Sequence, residues 1–283
     1  MYSTIGAITL AVSALAGPTA APGGATASAD RAAAGTSPIA AHAIAGQDRE
    51  FRWTGRLARG KTLEIRGVNG GIRAERASGD QIEVTATKTG RKSDPSTVNV
   101  EVVQHDDGVT ICAVYPTPEG ERPNECRPGG GHMNTRNNDV RVEFTVRVPA
   151  GVRFLGRTVN GRIVVGALDS DVDVSTVNGA IDVSAGAIVE ARTVNGSIDA
   201  TLRRADWSGE LDFSTVNGSI TLTLPSDLSA EVTASTVNGH LSSDFPLTVQ
   251  GRFSPRRLVG TIGEGGRGLH LKTVNGSITL RRS

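Results

Sequence analysis

Five carboxylates in this 283-residue sequence are spaced so that three could stack on one face and two on another, across the corner. Asp173, Glu190 and Asp212 each stand three residues before a Thr-Val-Asn-Gly tetrapeptide, and Asp182 and Asp199 each stand six residues after the Thr of one. Across all six tetrapeptides, the position three before the Thr reads Leu155, Asp173, Glu190, Asp212, Thr233 and His270. Carboxylates gathered on one face can bind a cation or a saccharide, or act as the acidic pair of a glycan-cleaving β-helix enzyme. They can equally be the wetted side of a strand, which also discourages aggregation, and this plainer reading is preferred. Like charges at strand spacing repel, and Arg192, one residue before its Thr, is placed to offset part of that. Asp169, Asp171 and Asp173 imitate the opening of a calcium loop, but Val174 and Ala180 occupy the positions where such a loop needs Gly and a carboxylate.

The remaining reactive side chains suggest less chemistry. Cys112 and Cys126 are the only two cysteines, and in an exported chain they form one disulfide. A metal site adding His105 or His132 would match no zinc spacing. The five His fit no Ser-His-Asp or Cys-His arrangement, and the Gly-rich stretch 263–268 has no following Lys-Ser/Thr and so is a turn rather than a phosphate loop. Asn195, Asn217 and Asn275 sit in Asn-Gly-Ser sequons, but the same Asn recurs without Ser at Asn160, Asn178 and Asn238, which points to backbone geometry rather than glycosylation. No catalytic residue, cofactor or metal is expected, and Asp173, Glu190 and Asp212 are retained as a candidate ligand face.

The elements that must position these residues are set by a repeat. Thr-Val-Asn-Gly begins at Thr158, Thr176, Thr193, Thr215, Thr236 and Thr273, with a degenerate copy at Gly67-Val68-Asn69-Gly70. The spacings are 18, 17, 22, 21 and 37 residues, a unit of about twenty with an insertion before the last copy. Four residues before each Thr stand Phe154, Val172, Val189, Leu211, Val232 and Leu269; five after it stand Ile163, Ile181, Ile198, Ile220, Leu241 and Ile278. Apolar positions alternate with polar ones on both sides of Asn-Gly, so each unit holds two short strands with one buried face. Asn-Gly could be the two-residue turn of a hairpin or the corner of a stacked coil. The coil is preferred because a hairpin leaves the preceding Thr-Val free to vary, whereas stacking rewards identical residues at identical corners. The structural corners are then Asn69-Gly70, Asn160-Gly161, Asn178-Gly179, Asn195-Gly196, Asn217-Gly218, Asn238-Gly239 and Asn275-Gly276, with Asn amides laddering and Gly supplying positive φ. The predicted fold is an all-β solenoid, similar to a single-stranded β-helix.

Residues 48–283 read as one β-strand-repeat domain, with an irregular part 48–149 and regular coils over 150–283. Strands are predicted at Ile82–Thr87, Val98–Val103, Val109–Ala113 and Val140–Val148, and an exposed loop at 116–139, rich in Pro and Gly. An open final coil ending at Leu280 would expose a strand edge, blunted by Arg281 and Arg282. Upstream, residues 1–29 carry no charge, Ile5–Ala16 is apolar and Ala27-Ser28-Ala29 is a small-x-small site, which together read as a secretory signal peptide. Residues 30–47 read as a flexible Ala/Gly-rich leader. Thirty basic against 29 acidic residues leave a net charge of +1, no field for nucleic acid, and no transmembrane segment is expected in the mature chain.

The Thr-Val-Asn-Gly-Ser-Ile units, Val148-Pro149-Ala150-Gly151-Val152 and Gly260-Thr261-Ile262-Gly263-Glu264-Gly265-Gly266 resemble the bacterial putative-adhesin family of secreted β-strand-repeat proteins, over roughly residues 50–283. The resemblance implies a β-helix-like solenoid at the cell envelope and brings no catalytic or binding residues with it. The expected role is non-enzymatic, adhesive or structural, in a secreted or envelope location. A cell-surface glycan or an envelope protein is the candidate partner, and a polysaccharide-active enzyme on the same scaffold is the alternative.

Overall fold

The computed structural model describes residues 49–186, 189–207, 209–249 and 256–283, all within one compact unit, Ile39–Ser283. The signal-peptide and leader segments lie outside the described residues. Strands β1 (Glu50–Gly55), β2 (Thr62–Arg66), β3 (Ile72–Arg76), β4 (Ile82–Thr89), β5 (Asn99–His105), β6 (Gly108–Val114) and β7 (Arg141–Val148) build the irregular part. The corner repeats carry β8 (Arg153–Arg157), β9 (Ile163–Leu168), β10 (Val172–Ser175), β11 (Ile181–Ala185), β12 (Val189–Arg192), β13 (Ile198–Leu202), β14 (Glu210–Ser214) and β15 (Ile220–Leu224). The last third holds β16 (Ala230–Ser235), β17 (Leu241–Ser243), β18 (Thr248–Val249), β19 (Arg257–Ile262), β20 (Gly268–Lys272) and β21 (Ile278–Arg282).

These strands form two sheets, and each coil contributes one strand to each. One sheet runs β1-β4-β7-β3-β9-β11-β13-β15-β21-β17, and the other β18-β19-β16-β20-β14-β12-β10-β8-β2-β6-β5. Strands from successive coils pair in parallel with like residues opposite, as in Val172↔Val189 and Ile181↔Ile198. That register makes the fold a β-solenoid, as the sequence predicts, and excludes hairpins at Asn-Gly. The apolar positions before and after each corner face inward: Phe154, Val189, Leu211, Ile181, Ile198 and Ile220 are all fully buried. Packing is matched locally. A Cβ on Gly156 would crowd the Phe154 ring and Val174, so the large residue of that strand occupies the space its neighbour leaves empty.

Three features depart from a regular coil. The irregular part is mixed rather than a plain continuation of the solenoid: β2 and β3 join it in parallel, while β4 pairs antiparallel with β1 and β7, and β5 with β6. The final repeat is not at the end. β20 lies between β14 and β16, and β21 between β15 and β17, so the coil last in sequence is interior and Leu280 is not an open edge. The coil that does close this end carries an antiparallel cover, β16–β19–β18, which the twenty-residue period could not announce. Among the described residues no helix is long and apolar enough to cross a membrane.

Candidate functional site

The Thr-Val-Asn-Gly corner assigns a different task to each of its residues. Each Thr is buried and donates its Oγ1–H to the glycine carbonyl of the adjoining coil: Thr158 to Gly70 (2.9 Å), Thr176 to Gly161 (3.0 Å), Thr193 to Gly179 (3.0 Å) and Thr273 to Gly218 (2.8 Å). Each Asn Nδ2 donates to the Oδ1 of the Asn before it in the stack, giving an unbroken ladder Asn238→Asn275→Asn217→Asn195→Asn178→Asn160→Asn69 with bonds of 2.7–2.9 Å. Because the sequon nitrogens of Asn195, Asn217 and Asn275 are ladder donors, the corner accounts for the Asn without a glycan.

The glycines are needed chiefly for close approach. A Cβ on Gly161, Gly179, Gly196, Gly218 or Gly239 would overlap the carbonyl oxygen of the glycine stacked against it. Positive φ, the expected reason, applies at Gly70 (124°) and Gly276 (158°). Only the Val has no buried partner to satisfy: Val159, Val177, Val194, Val216 and Val237 are 37–54% exposed. The corner therefore shows solvent an uncharged stripe of Val and carboxamide.

The acidic rank forms as the spacing predicts, since Asp173 lies opposite Glu190 and Glu190 opposite Asp212. It is not a bare acidic face. Arg157 reaches Asp173 at 3.2 Å, and Arg192 reaches Glu190 at 2.9 Å and Asp212 at 3.5 Å. Burial outweighs Arg157 at Asp173 and raises its pKa. Asp171, Asp173, Glu190 and Glu210 line a cavity of about 370 Å³ with Arg153 and Leu155. Asp169 is engaged by Arg76 and Arg203, both at 2.6 Å, and Asp171 by Arg153 at 3.8 Å, so the three aspartates that imitate a calcium loop each face a different arginine. No cluster of three His, Cys, Asp or Glu among the described residues is arranged to hold a metal.

On the opposite sheet Asp182 lies beside Asp199, and Arg162 bonds Asp182. The column continues through Thr221, Thr279 and Ser242, with Ser242 Oγ donating to Thr279 Oγ1 at 3.1 Å. Asp182, Asp199, Thr201, Thr221, Thr223 and Arg281 border a shallow cavity of about 330 Å³.

Glu64 belongs to the acidic rank and escapes the sequence reading, although it stands at the same offset from the degenerate corner as Asp173 does from its own. It is buried, and it accepts from Thr110 Oγ1 (3.0 Å), Arg66 Nη1 (2.9 Å) and the Gly129 amide (2.8 Å). The last bond pins the 116–139 loop, which also carries the Cys112–Cys126 disulfide (Cα–Cα 5.7 Å) and is crosslinked internally by Asn124 and Asn134. The expected exposed loop is thus pinned to the sheet as a clasp while staying exposed over stretches such as Glu119–Pro123 and Arg127–Gly129.

Residues 163–281, the stacked-corner coils, match the Toastrack family DUF4097. Over that stretch the chain is similar to the Toastrack family. Solved structures similar to this chain include a putative cell adhesion protein from Clostridium sporogenes ATCC 15579, with 11% identity, 83% of this chain and 100% of that one covered, and a TM-score of 0.43. A putative adhesin from Bacteroides fragilis NCTC 9343 has 12% identity, coverage of 84% and 98%, and a TM-score of 0.33. One from Parabacteroides merdae ATCC 43184 has 10% identity, coverage of 83% and 97%, and a TM-score of 0.28. No curated protein matches the sequence.

Proposed function

We propose that this chain is an exported, non-enzymatic interaction module of the cell envelope, adhesive or structural in role, consisting of a signal peptide (1–29), a leader (30–47) and one repeat domain (48–283). The observation that carries this reading is the corner: of seven stacked Val-Asn corners, five present an exposed Val beside an exposed Asn, an uncharged pattern repeated at a rise of about 4.8 Å per coil. Such an array suits a ligand that is itself repetitive or extended. Asp173, Glu190 and Asp212 are tied to arginines rather than left as an acid and a base, which favours binding over glycan cleavage. The disulfide supports an oxidising compartment.

The test is protease treatment of intact producing cells, with the mature chain followed under reducing conditions. Loss of the 116–139 loop on intact cells places the chain outward and makes adhesion to a glycan or host surface the role to pursue. Cleavage seen only after the envelope is opened replaces adhesion with an internal scaffold. Retention of residues 1–29 on the released protein sinks the export reading.

A further inference from the structure

A cavity of about 760 Å³ opens at the Asn69 end of the corner ladder. Its wall is made by Asn69 and Asn160 of the corner, by Thr89, Gly90 and Arg91 at the end of β4, and by Asn138, Asp139 and Arg141 leading into β7. The turn bearing Arg91 is held in place by Asp139, whose carboxylate accepts the backbone N–H groups of Ser93 (2.8 Å), Lys92 (3.1 Å) and Arg91 (3.3 Å). Those bonds keep the Asp139 carboxyl below its usual range, with the Ser93 amide the largest cause.

What the groove still has to offer is almost entirely donors. Asn160 and Asn69 each spend one N–H, on Asn69 Oδ1 (2.8 Å) and on the Asn138 carbonyl (3.5 Å), and each keeps a second. Asn69 Oδ1 and Asn160 Oδ1 accept from the ladder, and Asn138 Oδ1 accepts the Val140 amide (3.0 Å), leaving the Asn138 Nδ2 group unengaged. Asp139 has its oxygens on three amides. Arg141 is committed to Glu143 at 2.8 Å. Arg91 is the exception among the charges, because its exposed guanidinium has no hydrogen-bond or ion-pair partner among the described residues. A surface with surplus N–H donors and one uncompensated fork-shaped cation fits a ligand rich in acceptors and bearing a carboxylate. A cavity of this volume exceeds the needs of a lone anion, and it runs into the corner, where Asn178, Asn195 and Asn217 each keep one N–H to spare at strand spacing.

We propose that this groove binds a carboxylate-bearing saccharide, with Arg91 on the carboxylate, Asn69, Asn138 and Asn160 on ring and hydroxyl oxygens, and a longer chain continuing along the corner. This deepens the envelope-interaction reading and rests on it. The experiment is titration calorimetry of the full chain with hexagalacturonate and with sialyllactose, at low salt and at about 0.15 M salt. At least one of the two should bind, more weakly as salt rises. Arg91→Gln should lower that affinity about tenfold, the scale of one charge-assisted contact, and Asn138→Ala should lower it as well. Arg204→Gln, paired with Asp206 away from the groove, should leave it unchanged. Circular dichroism of each variant establishes that the fold is kept.

Absence of binding by both probes overturns the proposal, and so does an uncharged galactose hexamer that binds as tightly. Insensitivity to Arg91→Gln removes the site assignment. Single-stranded DNA binding as tightly through Arg91 would replace the saccharide with a generic polyanion. Capture of the chain by envelope preparations, measured in parallel, separates the two levels: its persistence with Arg91→Gln and without saccharide binding would leave the interaction role standing and sink only the groove.

Discussion

At the residue scale, Thr193 shows what the tetrapeptide is for. Its hydroxyl satisfies the Gly179 carbonyl, and Thr193 itself is 5% exposed, so removing the donor leaves an acceptor without a partner in a nearly dry place. Thr193→Val should lower unfolding free energy by about 1–3 kcal/mol in denaturant titration, and Thr193→Ser should recover much of it. Tyr115 supplies a pH signature. It is buried at the first corner, where its hydroxyl donates to the Val140 carbonyl (2.8 Å) and also approaches the Asn69 carbonyl (3.3 Å). Burial pushes its pKa up to about 12, above the ordinary value of 10, so the folded state holds the phenol proton more tightly than the unfolded chain does. The stability associated with that difference is complete below pH 10 and is lost as pH rises towards 12, by roughly 2–3 kcal/mol. Tyr115→Phe should flatten this alkaline loss in pH-dependent unfolding. Asp173 has the opposite consequence at neutral pH. Its raised folded-state pKa means that the charged form is disfavoured by folding, so this site opposes stability above that pKa and the effect fades on acidification. Asp173→Asn should raise the melting temperature at pH 7, with the gain shrinking towards pH 4.

At the scale of elements, corners and clasp differ in how much change they allow. Gly196→Ala would drive a Cβ into the Gly179 carbonyl of the stacked coil, whereas a Cβ on Gly79 meets nothing within 4 Å. Gly196→Ala should therefore yield little soluble protein, and Gly79→Ala should melt like wild type. The clasp is held by one disulfide and by Glu64. Replacing Cys112 and Cys126 with Ser should cost on the order of 3 kcal/mol and accelerate cutting within 116–139, while the coils stay protease-resistant. The corners and strand faces were legible because each is a local pattern: alternation marks β8 to β15, and an identical Asn-Gly at every corner favours a stack over separate hairpins. Glu64 escapes the pattern because its corner opens with Gly67 in place of Thr, so the Thr-Val-Asn-Gly repeat does not mark it. Arg91 has no sequence signal at all, since its lack of a partner depends on Asp139 taking the turn's amides and Glu143 taking Arg141.

At the scale of the whole molecule, the internal position of the last repeat changes what truncation should do. In a simple solenoid, deleting the final coil removes one end and the rest survives. Here, deleting residues 268–283 withdraws β20 and β21 from between β14/β15 and β16/β17, so both flanking coils lose a partner. The truncated chain should aggregate or lose its cooperative thermal transition, which differential scanning calorimetry would register; a transition like that of the full chain would contradict this arrangement. The sequence by itself determined the rung, two alternating strands joined at a laddering Asn-Gly corner, because each depends on neighbours a few residues away or on an identical copy; the burial of the Thr and the close carbonyl approach that demands Gly were set by stacking. Tertiary structure decided the order of the rungs and the surfaces between them. An Asn-Gly corner can receive any other Asn-Gly corner, so local pattern cannot say that Asn217 is followed by Asn275 rather than Asn238. That choice falls to non-local pairing: β16 lies beside β20 on one side and takes the antiparallel β19 on the other.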